Sequence, residues 1–289
     1  LFPYTTLFRS DSCAYAEKLA QERGSTFVHP FDDLDIVAGQ GSIAMEIVQE
    51  LPTVDYILAP VGGGGLITGV STLAKMLNPK IKVIGVEPAA APSMTMALAS
   101  GEPVTLDSAN TIADGTAVKR VGDRIFEYAK KNIDQMLTVE DDELVGAFLD
   151  MVENHKMIVE NSGLLTVAAL KQLDLKGKKA VAILSGGNMD VITMSSIVQH
   201  GLIQRDRIFS ASVLLPDKPG QLALVAQTIA DAQGNVIKLE HNQFVSTNRN
   251  AAVELRITME AYGTEHKNQI MKALEEKGFR PREIGAKLY

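Results

Sequence analysis

The sequence is poor in cysteine, in basic residues and in long apolar runs. A single cysteine, Cys13, cannot form a disulfide within the chain, so a disulfide-rich scaffold is excluded. The five histidines have no cysteine partners at zinc-ligand spacing, and we therefore predict no metal site. No apolar stretch approaches the roughly 20 residues of a transmembrane helix, which predicts a protein without a membrane span.

Acidic residues outnumber basic ones by 35 to 28, which gives a net charge of -7. Nucleic-acid binding depends on clustered lysine and arginine, so a nucleic-acid partner is not expected. The first residues lack the basic start and the small-residue cleavage site of a signal peptide, which favours a cytoplasmic protein. A length of 289 residues predicts about two domains.

Residues 1–10 differ in character from the rest of the chain. They show neither helical nor alternating hydrophobic periodicity. Their sequence, LFPYTTLFRS, is similar to translated sequencing-adapter sequence, and we interpret residues 1–10 as a foreign leader. A natural disordered arm is the alternative.

Short strand-like apolar runs alternate with amphipathic helical stretches from residue 14 to about residue 200. This alternation predicts a mainly parallel α/β sheet with helices on both faces. One helix is marked by Asp141, Asp142 and Glu143, because acidic side chains stabilise the positive end of a helix dipole. The runs expected to be strands are residues 26–29, 56–60, 82–86 and 180–184.

From Arg207 onward the pattern changes to strand, helix, two strands, helix and strand, which predicts a small ferredoxin-like domain. Residues 205–289 hold 12 basic and 10 acidic residues, whereas the residues before them hold 16 and 25. We therefore predict domains at residues 11–204 and 205–289, with a linker at residues 201–206. The elements expected in the second domain are strands at 208–215, 235–244, 253–259 and 283–289 and helices at 221–233 and 265–277.

Four consecutive glycines between a strand and a helix form what we call the glycine loop. Several backbone N–H groups can converge on an anion there, and the helix N-terminus adds positive potential, so we predict a phosphate site. A dinucleotide fingerprint would need glycine where Ile67 or Thr68 stands, and the Gly-Lys-Ser/Thr of a nucleotide P-loop is absent. Glycines that only permit close packing of strand and helix are the alternative. The loop consists of Gly62, Gly63, Gly64 and Gly65.

A second glycine element, Ser185-Gly186-Gly187-Asn188, comes after the last predicted strand of the first domain and is called the Ser185 turn below. At the carboxyl end of a strand in an open α/β sheet, its hydroxyl faces the usual ligand crevice. The same composition is typical of an ordinary turn, which is the alternative.

Six motifs in this order resemble threonine ammonia-lyase, also called threonine dehydratase. That family uses pyridoxal 5′-phosphate (PLP) and has fold type II, the fold of serine racemase and of the tryptophan synthase β chain. The resemblance covers residues 11–200, and residues 207–283 resemble the ACT regulatory domain attached to one form of the enzyme. The motifs are HPFDDLDIVAGQGSIAMEI from His29, PVGGGGL from Pro60, GVEP from Gly85, IADGTAV from Ile112, VENSG from Val159 and ILSGGN from Ile183.

The resemblance implies PLP-dependent deamination of L-threonine to 2-oxobutanoate and ammonia, with serine as a slower substrate. The glycine loop would bind the phosphate of the cofactor, and Ser185 would hydrogen-bond its pyridine nitrogen. A neutral hydroxyl does not hold a proton on that nitrogen as a carboxylate would, which suits an elimination. The alternatives are a serine dehydratase or racemase, and a non-catalytic module that binds an amino acid and assembles.

In this family the lysine that forms a Schiff base with PLP lies in a Ser/Thr-x-Lys-x-Arg-Gly type motif upstream of HPFD, and no such motif occurs here. Lys18, on an amphipathic helix beside Glu17, Gln21 and Glu22, is interpreted as a solvated charge. We therefore assign no catalytic residue and expect an amino-terminally truncated enzyme that is inactive alone.

The segment of residues 87–93 corresponds to the place where serine racemase relatives bind a divalent cation. Ser93 stands where those relatives have an aspartate, and the loss of a carboxylate weakens a hard-cation site. The resemblance therefore adds no metal to the prediction.

In the second domain the resemblance implies an effector site, formed by the loop with Asp217, Gly220 and Gln221 and faced by Asn235 across a dimer interface. The expected effector is a branched-chain amino acid, and the expected assembly is a homo-oligomer. The alternative is that Pro-Asp-Lys-Pro-Gly is a plain turn in a module that only oligomerises.

Overall fold

The computed structural model describes residues 9–242 and 253–286. The chain divides into two compact units, Leu1–Asp190 and Val191–Tyr289. Each unit contains a four-stranded sheet of its own. No helix among the described residues is long and apolar enough to cross a membrane.

The first unit is a parallel α/β domain. Its strands pair in the order β3-β2-β1-β4, and every pairing is parallel, as predicted. The strands are β1 (Tyr56–Pro60), β2 (Lys82–Pro88), β3 (Gln135–Val139) and β4 (Ala180–Ala182). The helices are α1 (Arg9–Arg23), α2 (Leu34–Glu50), α3 (Gly65–Leu77), α4 (Ser93–Ser100), α5 (Phe126–Asn132), α6 (Asp141–Asp150) and α7 (Asn161–Ala169).

Helices cover both faces of this sheet. Ile57 and Ala59 of β1 pack with residues of α2 and α3 in one core cluster. Leu58, between them, points to the opposite face, where α7 packs on β1. All three side chains are fully buried, which is why the strand appears in the sequence as a continuous apolar run.

Sequence reasoning was wrong about the first expected strand and missed another. Residues 26–29 are not a strand: the imidazole of His29 accepts hydrogen bonds from the Phe31 and Asp32 N–H groups, and no neighbouring strand among the described residues pairs with this segment. The edge strand β3 was not predicted, because it is half-exposed and lacks a long apolar run.

The second unit contains a ferredoxin-like βαββαβ module preceded by a helix. Its four strands form an antiparallel sheet in the order β6-β7-β5-β8, which confirms the predicted module. Both module helices pack on one face, over a core that includes Val213, Ile257 and Ile270. The elements are α8 (Val191–Gln204), β5 (Ile208–Leu215), α9 (Gln221–Asp231), β6 (Asn235–Asn242), β7 (Val253–Glu260), α10 (Thr264–Glu276) and β8 (Arg280–Ile284).

The last strand begins three residues before its predicted start. Gly278, at a φ of 87°, reverses the chain directly after α10, so Arg280 already pairs with Leu214. The predicted ends of the strands at 235–244 and 283–289 lie outside the described residues.

Two predicted boundaries fall inside helices. Residues 201–204, expected as a linker, are the last turn of α8, which packs on β5 and belongs to the second unit. Of the predicted leader, residues 1–8 lie outside the described residues, and Arg9 and Ser10 begin α1.

Candidate functional site

The glycine loop and the Ser185 turn lie at the same edge of the parallel sheet. Strand β1 ends at Pro60 and leads into the glycine loop, and β4, its parallel neighbour, leads into the Ser185 turn. The Ile183 N–H donates to the Leu58 carbonyl at 3.0 Å, which extends this pairing beyond β4. The carboxyl ends of parallel strands are where open α/β sheets bind ligands.

The backbone of the glycine loop offers unused hydrogen-bond donors. The N–H groups of Gly62, Gly63, Gly64 and Gly65 find no partner among the described residues. Gly64 has a φ of 100°, a conformation that favours glycine, and it precedes the first residue of α3. Free N–H groups at a helix N-terminus attract anions, so the loop fits a phosphate group.

The same glycines also permit close packing, which was the alternative interpretation. A Cβ on Gly63 would lie 2.3 Å from the Phe31 ring, and one on Gly65 would lie 2.9 Å from the Phe31 carbonyl oxygen. A Cβ on Gly62 would lie 3.1 Å from the Cα of Thr116. The loop therefore needs glycine for its neighbours as well as for an anion.

The HPFD motif holds Phe31 against the loop. The Asp32 carboxylate accepts hydrogen bonds from the N–H groups of Arg124 (2.9 Å) and Ile125 (3.2 Å). The Gly122 N–H, two residues earlier, donates to the Gly63 carbonyl at 3.0 Å. Two segments distant in sequence, residues 31–32 and residues 122–125, thus fix the shape of the glycine loop.

The VENSG motif at the start of α7 joins the remaining two motifs. The Ser162 hydroxyl accepts the Thr116 N–H at 3.1 Å and so holds the IADGT segment. The Glu160 carboxylate accepts the Asn188 N–H at 3.0 Å and so holds the Ser185 turn. The motif contributes to the family resemblance, but the sequence predicts no role for Glu160 or Ser162. Their partners lie 28 to 46 residues away, and no spacing rule connects them.

Two polar groups at this edge have no hydrogen-bond partner among the described residues. The Ser185 hydroxyl makes no hydrogen bond to the described residues and is half-buried. Asn161 is 4% exposed, and its amide nitrogen donates to the Ile112 carbonyl at 2.9 Å, while its Oδ1 has no partner in the described part of the chain. A buried acceptor without a donor costs about 1–3 kcal/mol, so this edge of the sheet fits a ligand that brings polar groups.

Glu87, in the segment compared with a cation site, caps a helix. Its fully buried carboxylate accepts the N–H groups of Met94 (2.6 Å) and Thr95 (2.9 Å) in the first turn of α4. Burial raises the pKa of Glu87, and these hydrogen bonds offset part of that rise. Among the described residues, no three His, Cys, Asp or Glu side chains are grouped to hold a metal ion.

The four predicted effector residues do not come together within one chain. Asp217 and Gly220 are exposed in the loop after β5, and Gln221 begins α9. Asn235 begins β6 and pairs with Glu260, which pairs with the first residue of β5. The length of β5 therefore separates Asn235 from the loop.

Comparison with known proteins identifies the class of the first unit. Residues 8–186 match the model of the pyridoxal-phosphate dependent enzyme family. The chain is 38% identical over 271 residues to the L-threonine ammonia-lyase of Thermotoga maritima, covering 93% of this chain and 68% of that relative.

Two solved structures resemble the fold. Threonine deaminase isoform 2 of Solanum lycopersicum, in its processed form, gives a TM-score of 0.61 at 36% identity, over 64% of this chain and 55% of that one. The serine racemase of Dictyostelium discoideum gives 0.57 at 38% identity, over 62% and 58%. The matched part of this chain thus spans between one half and two thirds of the length of these two proteins.

The first unit has the fold type II architecture of the pyridoxal-phosphate dependent enzymes. Within that class, the chain belongs to the L-threonine ammonia-lyase family, which depends on PLP.

Proposed function

We propose that this chain carries the phosphate-binding and pyridine-binding part of a cytoplasmic enzyme that deaminates L-threonine to 2-oxobutanoate and ammonia. Two elements at the same edge of the parallel sheet support this best. The four N–H groups of the glycine loop and the Ser185 hydroxyl have no hydrogen-bond partner among the described residues. When bound, PLP supplies an electron-withdrawing ring that makes the α-proton of an attached amino acid acidic.

The residues of this chain would divide the binding of the cofactor between its two polar ends. The N–H groups of the glycine loop would donate to the phosphate oxygens, assisted by the positive end of α3. Ser185 Oγ would donate to the pyridine nitrogen without holding a proton there, since no negative charge on Ser185 stabilises the pyridinium. An unprotonated ring withdraws electrons less strongly than a pyridinium, and this suits elimination of the β-hydroxyl.

The proposed chemistry also needs the lysine motif, which the sequence does not contain. We therefore expect a polypeptide of this sequence to form no 2-oxobutanoate from threonine. Joining it to the amino-terminal segment of the Thermotoga relative should restore 2-oxobutanoate formation and a covalently bound cofactor that borohydride reduction traps on lysine. A joined protein that traps the cofactor but does not deaminate threonine would refute the proposed reaction.

A serine racemase or serine dehydratase is the second candidate. The similarity to the Dictyostelium serine racemase, at 38% identity over 62% of this chain, favours it. The products separate the two: a threonine ammonia-lyase forms 2-oxobutanoate faster than pyruvate, whereas a racemase forms D-serine from L-serine.

For the second unit we propose an ACT-type regulatory role in a homo-oligomer. The βαββαβ order supports it. Asn235 and the loop with Asp217 lie at opposite ends of β5, so a site that uses both requires two copies of the module. A branched-chain amino acid is the proposed effector, and amino-acid regulation of isoleucine biosynthesis is the proposed context.

A further inference from the structure

One face of α7 runs along the chain from the end of β4 through the Ser185 turn. Thr166 Oγ1 donates to the Ile183 carbonyl at 2.9 Å. One turn earlier, a Cβ on Gly163 would lie 2.2 Å from the Ser185 carbonyl oxygen, so only glycine lets the two backbones approach. Residues spaced by three along a helix lie on one face, and Glu160, the N-cap of α7, continues this series.

Glu160 touches the Ser185 turn at three points. Its Oε2 accepts the Asn188 N–H at 3.0 Å, and its own N–H donates to the Gly186 carbonyl at 3.4 Å. Gly186 has a φ of 83°, and a Cβ there would lie 2.3 Å from Glu160 Oε1. The carboxylate therefore occupies the concave side of the turn.

Within the turn, the Met189 N–H donates to the Gly187 carbonyl at 2.9 Å, a local hydrogen bond that does not tie the turn to another element. Gly186 and Gly187 have no side chains, and glycine loses more conformational freedom on ordering than any other residue. Gly186, Gly187 and Asn188 are exposed, so packing contributes little. Without Glu160, the chain after Ser185 would sample several conformations.

We infer that Glu160 is a positioning residue that fixes the direction of the Ser185 hydroxyl by holding residues 186–188. This inference rests on the proposed contact of Ser185 with the pyridine nitrogen. Glu160 acts through Ser185 and does not itself touch the cofactor.

The first measurement needs no cofactor. In the chain of this sequence, amide hydrogen exchange of Asn188 should be faster in Glu160→Ala than in the unchanged protein. Glu160→Gln keeps an oxygen that can accept the Asn188 N–H, so it should restore most of the protection. Glu143, which accepts the Glu140 N–H at 2.9 Å at the start of α6, supplies the control: Glu143→Ala should leave Asn188 unchanged. Equal exchange in Glu160→Ala and in the unchanged protein would overturn the inference.

The second measurement is a double-mutant cycle on PLP affinity, followed by cofactor absorbance in the chain joined to the relative's amino-terminal segment. Glu160→Ala should weaken binding about 10-fold, a typical loss for a misplaced hydrogen bond, and Glu160→Gln less than about 3-fold. In a Ser185→Ala background, Glu160→Ala should add no further loss.

The outcomes separate the two claims. Additive losses would show that Glu160 acts independently of Ser185 and would overturn the inference. If Ser185→Ala leaves PLP affinity unchanged while Glu160→Ala speeds Asn188 exchange, the positioning of the turn stands and the proposed pyridine contact fails.

Discussion

The two units differ in what their long-range hydrogen bonds connect. In the first unit, the loops around the candidate site are fixed by hydrogen bonds between residues far apart in sequence, such as Arg124 with Asp32 and Thr116 with Ser162. In the second unit, each strand of the module lies beside strands and helices of one compact segment. The difference teaches that the site of the first unit depends on the whole unit, whereas the module depends only on itself.

The largest expected effect comes from this contrast. Residues 191–289 contain every strand of their own sheet and a core that includes Phe209, Ile229 and Leu274, so they should fold alone. The first unit matches only part of its solved relatives and also exposes apolar side chains that include Val28, Met157 and Ile158, so residues 1–190 expressed alone should aggregate. Calorimetry of the two pieces checks this. A cooperative transition from a monodisperse first unit would break the comparison.

The next-largest expected effect is on the stability of the first unit, which depends on the close approach of α2 and α3. Gly69 of α3 lies against α2, where a Cβ would sit 2.3 Å from the Val37 carbonyl oxygen and 2.8 Å from the Gly41 nitrogen. Since backbone atoms cannot move aside cheaply, Gly69→Ala should destabilise this unit by about 1–3 kcal/mol or more. Urea unfolding followed by hydrogen exchange of α2 and α3 measures the change.

Gly39, on the exposed side of α2, is the matched control. A Cβ there meets no atom within 4 Å, so Gly39→Ala should stabilise the helix by about 0.5–1 kcal/mol. Equal effects of the two alanines would show that the approach of α2 to α3 is not a stability determinant.

The two units also differ in how much of them the sequence predicts. The module can be predicted from local patterns, since its turns, alternating strands and amphipathic helices are each visible within about ten residues. Its errors are boundaries, as at Gly278, where one left-handed residue starts β8 earlier than the apolar pattern indicates.

In the first unit, sequence reasoning found the glycine loop and the Ser185 turn but not the residues that hold them. The glycines are recognisable because their chemistry is local, and Ser185 because it comes after a strand. Glu160, Gly163 and Phe31 act through partners brought together by the parallel sheet, and no periodicity shows which loop a given side chain will reach. The family motifs mark these residues without explaining them.

Two carboxylates should give the units opposite responses to acid. Burial raises the pKa of Glu87 above its ordinary value of 4.5, so the folded first unit binds this proton more readily than the unfolded chain. The contribution of Glu87 to the stability of the first unit should therefore become more favourable as pH falls from neutral through the raised pKa toward 4.5. In the second unit, burial also opposes the charge of Asp206, but hydrogen bonds from Lys267 and Thr264 outweigh it and lower the pKa below 3.8. That contribution is present above 3.8 and is lost as pH falls through the lowered pKa.

The two slopes of stability against pH should therefore have opposite signs. Hydrogen exchange of peptides from β2 and α4 reports the first unit, and peptides from α10 and β8 report the second, between about pH 3 and 7. Glu87→Gln should flatten the first slope and Asp206→Asn the second. The same sign of slope in both units would contradict the assignment.

The smallest expected effect concerns the effector proposal for the module. At a concentration equal to its Kd, isoleucine or valine should stabilise the module by about 0.4 kcal/mol, or roughly 2–3 °C in Tm for a unit of this size.

Gly220 has a φ of 89°, and a Cβ there would meet no atom within 4 Å, so Gly220→Asp should leave the module folded while placing a carboxylate at the proposed site. The ligand-induced shift should disappear. Gly285→Asp is the control, because a Cβ on Gly285 also meets no atom within 4 Å and Gly285 follows Ile284, which pairs with Ser210 near the end of β5 that is opposite to the loop. It should keep the ligand-induced shift. Asn235→Ala should weaken binding only where the module dimerises, since one chain keeps Asn235 a strand's length from the loop.

If calorimetry against all twenty amino acids detects no binding to the unchanged module, the loop is a plain turn and the module serves assembly.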